Sequence, residues 1–380
     1  MSNEKELRIA CISDIHLGHK RNKAKDIIKN LDTYLNNDKF LKSIDLLILA
    51  GDVFDELLHV SSEDMDHIDF WIAKLLRKCQ RLGIYVRVLE GTPSHDRGQS
   101  RRFVVVNEIN RKAGQIDAQL KYIDTLSIEY VPKFDIHVLY MPDEWGPTVQ
   151  DTLDQVRTLL VQHQLTHVDY GVFHGCFGYQ LPSHIPHIPR HSEEDYLNIV
   201  RRLIFIGHVH THTTYDRIVA QGSFDRLSHN EEEPKGFVKA VVQPNGEYTL
   251  TFIENKGACI YKTITCRDES VTESLMMIEN QIQGLPYESN VRIEAFHTNP
   301  ILSNLSVIKE RWPLLNWTVI ARGKEAKENP VFLDHKNVYV PIVLDRQSIS
   351  RVILERIAPL GLNPLVYQQC QAHLKETVGG

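Results

Sequence analysis

The residues best suited to chemistry in this sequence are aspartates and histidines in five short segments. They are Ser13-Asp14-Ile15-His16, Gly51-Asp52, Gly91-Thr92-Pro93-Ser94-His95-Asp96, Phe173-His174-Gly175 and Gly207-His208-Val209-His210. Each places an acid or an imidazole directly after an apolar run of strand type. Carboxylate plus imidazole, without thiolate, suits Mn²⁺, Fe or Zn²⁺ better than Ca²⁺ or a structural zinc. Two such ions about 3.5–4 Å apart clamp a phosphoryl group, activate a water and stabilise the leaving oxygen. A strand-end carboxylate such as Asp52 can bridge the ions. A histidine outside the metal shell, such as His95, can protonate the departing alkoxide. Singly, each segment has an ordinary reading as turn, loop or core polarity; in this order, all at strand ends, they point to one site.

The elements that must position them alternate. Apolar runs at 8–13, 45–50 and 84–89 predict strands, and 24–37 and 61–82 predict helices, the second capped by Ser61 or Ser62. From about residue 126 strands dominate, at 136–141, 168–173, 203–206, 237–242 and 248–253, with helices at 149–164 and 193–201. Nearly all-apolar strands between helices predict an α/β fold whose sheet is covered on its faces. In such folds active sites collect beyond the carboxyl ends of the strands. Strand periodicity places Asp14 with His16, and His208 with His210, on one face. The proline-rich stretch 181–190 predicts an extended loop. Past Asn255-Lys256-Gly257 a smaller α/β unit is predicted, with strands at 258–265, 291–296, 317–321 and 338–343 and helices at 272–283 and 305–312. A helix-prone segment follows it.

Composition narrows the partners. The chain has 380 residues, 43 Lys+Arg against 49 Asp+Glu, and a net charge of −6. That excludes gripping a polyanion by bulk charge, but not nucleic acid as a substrate, because a basic stripe or bound cations can reverse the field locally. Lys20, Arg21, Lys23 and Lys25 follow the first motif, Arg97, Arg101 and Arg102 follow the third, and Arg226 lies further on. They predict phosphate contacts without sequence preference. Six scattered cysteines, a polar start and apolar runs too short to span a bilayer make a cytoplasmic protein with reduced thiols the expectation. The unusual count is 19 histidines.

The series D-x-H, G-D, a G…H-D turn, a lone His after a strand and G-H-x-H resembles that of the calcineurin-like metallophosphoesterases. The stretch Gln221-Gly222-Ser223-Phe224-Asp225-Arg226-Leu227-Ser228-His229-Asn230-Glu231-Glu232-Glu233-Pro234-Lys235-Gly236-Phe237 is similar to that of SbcD-type DNA-repair nuclease subunits. The resemblance implies a four-layer αββα sandwich over 1–255, a small α/β capping domain over 256–345 and a helical tail over 346–380. It further implies Asp14, His16, Asp52 and His210 on one metal, and Asp52, His174 and His208 on the other. His95 becomes the proton donor, oriented by Asp96. The implied chemistry is manganese-dependent exonuclease and endonuclease hydrolysis of DNA, with an SbcC-type coiled-coil ATPase docked through the tail. A homodimer is implied as well, to which helix 61–82 with Trp71, Leu75 and Leu76 can contribute. The other readings are a phosphodiesterase or phosphatase on smaller substrates, and a scaffold that has lost turnover.

Two departures stand out. The family's G-N-H turn is two residues longer here and lacks the asparagine that ligates the second metal. Ser94 or Thr92 can offer an oxygen instead; Ser94 is taken as the ligand, and weaker binding of the second metal is expected. Val53-Phe54-Asp55 carries Asp where relatives often have a histidine. His212 is expected behind the metal ligands or exposed, and His19, His184, His187 and His191 at the loop surface.

Overall fold

The computed structural model describes residues 6–322, apart from 115–116, 144 and 183–187. The chain runs β1 (Leu7–Ile12), α1 (Ala24–Tyr34), α2 (Asp38–Leu41), β2 (Leu46–Ala50), α3 (Glu63–Leu82), β3 (Tyr85–Leu89), α4 (Arg102–Lys112) and β4 (Gln119–Ile123). There follow β5 (Ser127–Val131), β6 (Ile136–Met141), α5 (Val149–Gln162), β7 (Tyr170–His174), α6 (Glu193–Ile199), β8 (Ile204–Gly207), β9 (Thr213–Tyr215) and β10 (Ile218–Ala220). Then come β11 (Gly236–Val242), β12 (Tyr248–Glu254), β13 (Tyr261–Cys266), α7 (Val271–Ile282), β14 (Asn290–Phe296), α8 (Leu305–Arg311) and β15 (Asn316–Arg322).

These elements make a mixed α/β sandwich. One six-stranded sheet has the order β12-β11-β1-β2-β3-β4, with β1 to β4 mutually parallel. The other has the order β5-β6-β7-β8-β10-β9, with β6, β7, β8 and β10 parallel. Strand alternation splits the first sheet's side chains between two cores. Ile9, Cys11, Leu46 and Ile48 pack with Val138, Tyr140, Val172 and Phe205 of the second sheet. Ala10, Ile12, Leu47 and Leu49 pack under α1, α3 and α4. Leu139, Phe173 and Ile206 of the second sheet pack under α5 and α6. The three parallel strands β13, β14 and β15 have a core of their own with α7 and α8.

Helix α3 illustrates how local sequence builds a layer. Ser62 caps it by accepting from Met65 N, acids occupy its first turn, and Gly83 closes it at φ 68°. Met65, Ile68, Trp71, Ile72, Leu75, Leu76 and Cys79 recur at helical spacing and are buried. Trp71, Leu75 and Leu76 therefore cover the first sheet, and the exposed large hydrophobic side chain of this helix is Phe70. Burial of each such side chain contributes about 1.5–3 kcal/mol, which a free surface would forfeit.

Sequence patterning does not predict α4, β4, β5, β9 or β10. β4 and β9 lie on sheet edges and are half-exposed, so they lack the apolar run that reveals a strand. The strand expected at 338–343 and the segment 346–380 lie outside the described residues, as do His184 and His187. Among the described residues no helix is long and apolar enough to cross a membrane, and the five cysteines are free.

Candidate metal centre

The parallel strands of both sheets end against one another, and the five segments meet there. Contact is close enough to exclude side chains: a Cβ on Gly207 would lie 2.4 Å from Ala50 O, and one on Gly51 2.2 Å from His174 Nδ1. Glycine at both positions is a condition for the sheets to approach.

Of the groups of donor atoms that a metal ion can share, His16, Asp55 and His95 form one, and two others meet at Asp52. Of these two, one is Asp14, His16 and His210; the other is Asp52, His174 and His208. Asp52 Oδ2 stands between them, 3.3 Å from His174 Nε2 and 3.9 Å from His16 Nε2. Asp14 ties the groups through its carboxylate, which accepts the backbone N–H of His208 at 3.0 and 3.1 Å. His208 and His210 thus serve different groups. Strand alternation does not account for their placement: β1 ends at Ile12 and β8 at Gly207, before the donors. Asp14, His16, Asp52 and His208 instead adopt positive φ, at 50°, 53°, 49° and 100°. Four of the nine described non-glycine residues with positive φ lie at these donors, a concentration that fits strain kept at a functional site.

Three of the imidazoles are aimed from behind. His16 Nδ1 donates to Asp55 Oδ1 at 3.0 Å, His210 Nδ1 to Glu231 Oε1 at 3.0 Å and His174 Nδ1 to Ala50 O at 2.7 Å. That pattern fixes the tautomer and turns Nε2 forward, as in metal-ligating histidines. With both Nδ1 atoms donating, the Nε2 lone pairs of His16 and His210 face each other at 3.3 Å. Lone pairs in that arrangement require a proton or a cation between them. The spacing equals the roughly 3.0–3.4 Å between neighbouring ligands on bonds of about 2.0–2.2 Å. The donor set therefore fits divalent ions.

Electrostatics agree. Asp14 and His174 are fully buried, and Asp52 and His16 are 2% exposed. Burial alone would raise the Asp52 carboxyl, but the charge and hydrogen bond of His174, then His16 and His95, hold it well below the usual carboxylate range. Burial lowers His174 in turn, and Asp52 more than reverses this, pushing it well up. Glu231 is held at about 2, the hydrogen bond and charge of His210 and the Lys235 ammonium outweighing its burial. A buried anion in such a place demands positive charge.

Two expected placements fall to other residues. Ser94 is exposed and its carbonyl accepts from Arg97 Nε; the longer turn instead directs the Thr92 hydroxyl inward, 3.2 Å from Asp52 Oδ2. The Asp96 carboxylate makes no hydrogen bond to His95. It is buried and accepts from Phe54 N at 2.8 Å and Gly91 N at 2.7 Å, stapling the Asp52 loop to the turn; burial, then the charges of Asp52 and Glu90, push it up to about 7. His95 is held by Asp55, whose backbone carbonyl accepts from His95 Nδ1 at 2.9 Å. Its ring stands edge-on to His16 at 5.0 Å.

The cations divide likewise. Lys20, Arg21, Lys23, Arg97 and Arg101 are exposed, Lys20 near Glu56 and Lys23 near Glu288. Arg102 is committed to Asp69, and Arg226 donates to the carbonyls of Glu233 and Cys259. His212 lies on the Ala220 carbonyl and stacks on Phe252. His19 accepts from the backbone N–H groups of Arg21 and Asn22, and His191 packs among Phe177 and Tyr196.

Residues that motif reading leaves without a metal role are Asp55, Glu231 and Asp143. Asp143 had a signal, since it follows the strand 136–141 as the other acids follow theirs. Asp55 and Glu231 had none of that kind.

No family model matches the chain, and no curated protein sequence matches it. Solved structures similar to it include TT1561 of Thermus thermophilus, with 11% identity and a TM-score of 0.36, covering 65% of this chain and 99% of that one. Another shares 12% identity at a TM-score of 0.37 with the same coverage. Likeness so remote bears on neither activity nor substrate. Clustered His and Asp side chains on an α/β sandwich are compatible with a metal-dependent hydrolase.

Proposed function

We propose that this chain is a metallophosphoesterase of the calcineurin-like type that hydrolyses DNA phosphodiesters, the nuclease subunit of an SbcCD-like assembly. The observation that supports it most is the convergence of five strand-end segments on two donor groups flanking Asp52, with His95 beside them. In this reading the two packed sheets and their outer helices are the four-layer sandwich, and the β13–β15 unit belongs to a capping domain over 256–345. A homodimer and a coiled-coil ATPase partner are part of the same proposal.

Asp14, His16, Asp52 and His210 would hold one divalent ion, and Asp52, His174 and His208 the other, Mn²⁺ being the preferred metal. Such ions, when bound, supply an activated water and neutralise charge on the phosphoryl oxygens. The chain's own residues do the rest. Asp55 and Glu231 hold His16 and His210 in one tautomer. His95, its Nδ1–H committed to the Asp55 carbonyl, has Nε2 as the atom that can carry a proton to the leaving oxygen. Exposed Lys20, Arg21, Lys23, Arg97 and Arg101 offer phosphate contacts that carry no sequence information.

The test is purified protein with Mn²⁺ on linear duplex DNA, single-stranded DNA and a p-nitrophenyl phosphodiester, beside His95→Ala. DNA cleavage that falls by about 10²–10⁴-fold in the variant is expected. No cleavage of either DNA, with a coiled-coil ATPase partner added, refutes the nuclease; cleavage of the small diester alone favours a phosphodiesterase.

A further inference from the structure

We infer that Asp143 is a ligand of the second metal position, filling with Thr92 the place left by the asparagine that the altered turn lacks. The inference rests on the metal centre of the proposed function and not on DNA as substrate.

Asp143 lies two residues past β6, beside the ends of β7 and β8. Its side chain is 13% exposed, with Oδ2 3.4 Å from His208 Nδ1 and 3.2 Å from the Thr92 hydroxyl. That hydroxyl is also 3.2 Å from Asp52 Oδ2, 3.4 Å from His174 Nε2 and 3.3 Å from His208 Nδ1. Four polar atoms surround one oxygen that has one proton and two lone pairs. Two of them are carboxylate oxygens, and a single proton can serve only one. The two imidazoles can donate to the carboxylates in its place, and a divalent cation can stand where those protons would.

The distances carry the argument further. Thr92 to each of its four neighbours, Asp52 to His174 and His208 to Asp143 span 3.2–3.4 Å. Neighbouring ligands on one ion with bonds of about 2.2 Å stand about 3.1 Å apart in an octahedron. Thr92 Oγ1, Asp52 Oδ2, Asp143 Oδ2, His174 Nε2 and His208 Nδ1 thus form a donor set slightly wider than one around a bound ion. Two carboxylates, a hydroxyl and two imidazoles favour a hard or borderline divalent ion such as Mn²⁺. Asp143 adds a full negative charge where an asparagine is neutral, so the altered turn strengthens the second position instead of weakening it.

The test is Mn²⁺ titration of the chelator-stripped full chain by calorimetry, with bound ion counted by electron paramagnetic resonance. Wild type is expected to bind two ions per chain. Asp143→Ala should weaken one of them at least about tenfold, the loss that removal of even an outer partner produces, and leave the other within threefold. Asp143→Asn, which restores a neutral oxygen of the same shape, should fall between them and keeps the comparison open should the alanine variant fail to fold. Two ions at wild-type affinity in both variants, or a single ion in wild type, overturns the inference. Absence of DNA cleavage by wild type refutes the nuclease alone, and the titration still decides the role of Asp143.

Discussion

Gly91→Ala is the sharpest perturbation of the centre that leaves every donor in place. A Cβ at Gly91 would lie 2.1 Å from Asp52 N, 2.3 Å from Asp52 Oδ1 and 2.9 Å from Gly51 C. Ordinary contact begins near 3.4 Å, so the first of these is about 1.3 Å too close. Two of the three atoms are backbone, and that backbone is already pinned, Gly91 N and Phe54 N both donating to Asp96. The strain resolves by pushing the turn from Asp52, which breaks the 2.6 Å bond from Thr92 N to Asp52 Oδ1 and moves the Asp52 carboxylate. Overpacking of this kind costs about 1–3 kcal/mol of stability. A misplacement of about 1 Å at reacting groups costs about 10²-fold in rate. The expected result is a folded protein, a few degrees less stable, with Mn²⁺ binding weakened and phosphodiester cleavage down about 10²-fold or more. The control is Gly246→Ala, at φ 91° with nothing within 4 Å of the added carbon. It should lose about 1–2 kcal/mol from its left-handed backbone and bind metal normally. Calorimetric Mn²⁺ titration and initial cleavage rates on both variants decide the matter. A Gly91→Ala protein that binds and cleaves within threefold of wild type would refute the placement of Asp52 at the junction.

Three further outcomes follow from particular contacts. Asp55→Asn weakens the aim of His16 and lowers Mn²⁺ affinity about 10–100-fold in calorimetric titration, with the fold intact by circular dichroism. Burial pushes Asp225 up to about 6 from an ordinary 3.8. The unfolded chain therefore gives up that proton first: the contribution of Asp225 to stability is full below about pH 3.8 and is lost as pH rises through about 6. Asp225→Asn keeps both N–H bonds, since Arg226 N and Cys259 N donate to the same Oδ1 at 2.7 Å. Urea unfolding at pH 5 and pH 8 should show the variant gaining on wild type at the higher pH, with a ceiling of about 3 kcal/mol. Arg226→Ala, cut from the Glu233 and Cys259 carbonyls, should lower the melting temperature without altering the salt dependence of DNA binding. Arg21→Ala should reduce that slope by about 1 instead.

That Asp14, His16, Asp52, His208 and His210 follow strand runs is readable from the sequence without any tertiary information. Strand runs and the turns that end them are local signals, so the sites after β1, β2, β3, β7 and β8 were legible without knowledge of contacts. The buried face of α3 was legible in the same way, since its apolar spacing and Ser62 cap are properties of consecutive residues. How the donors group was not legible in strand spacing and entered only as what the resemblance implies. His16 and His210 are 194 positions apart and meet only because two sheets abut at Gly51 and Gly207. Left-handed backbone at Asp14, His16, Asp52 and His208, not strand alternation, sends His208 to one group and His210 to the other. The same holds for Thr92 over Ser94, and for Asp55 over Asp96 as the support of His95. A turn's side-chain directions depend on what it packs against, and here that is the Asp52 loop, some 40 residues away in the chain. The carboxylate of Asp143 reaches the Thr92 hydroxyl across that junction, 51 positions along the chain, because packing of the two sheets brings their strand ends together.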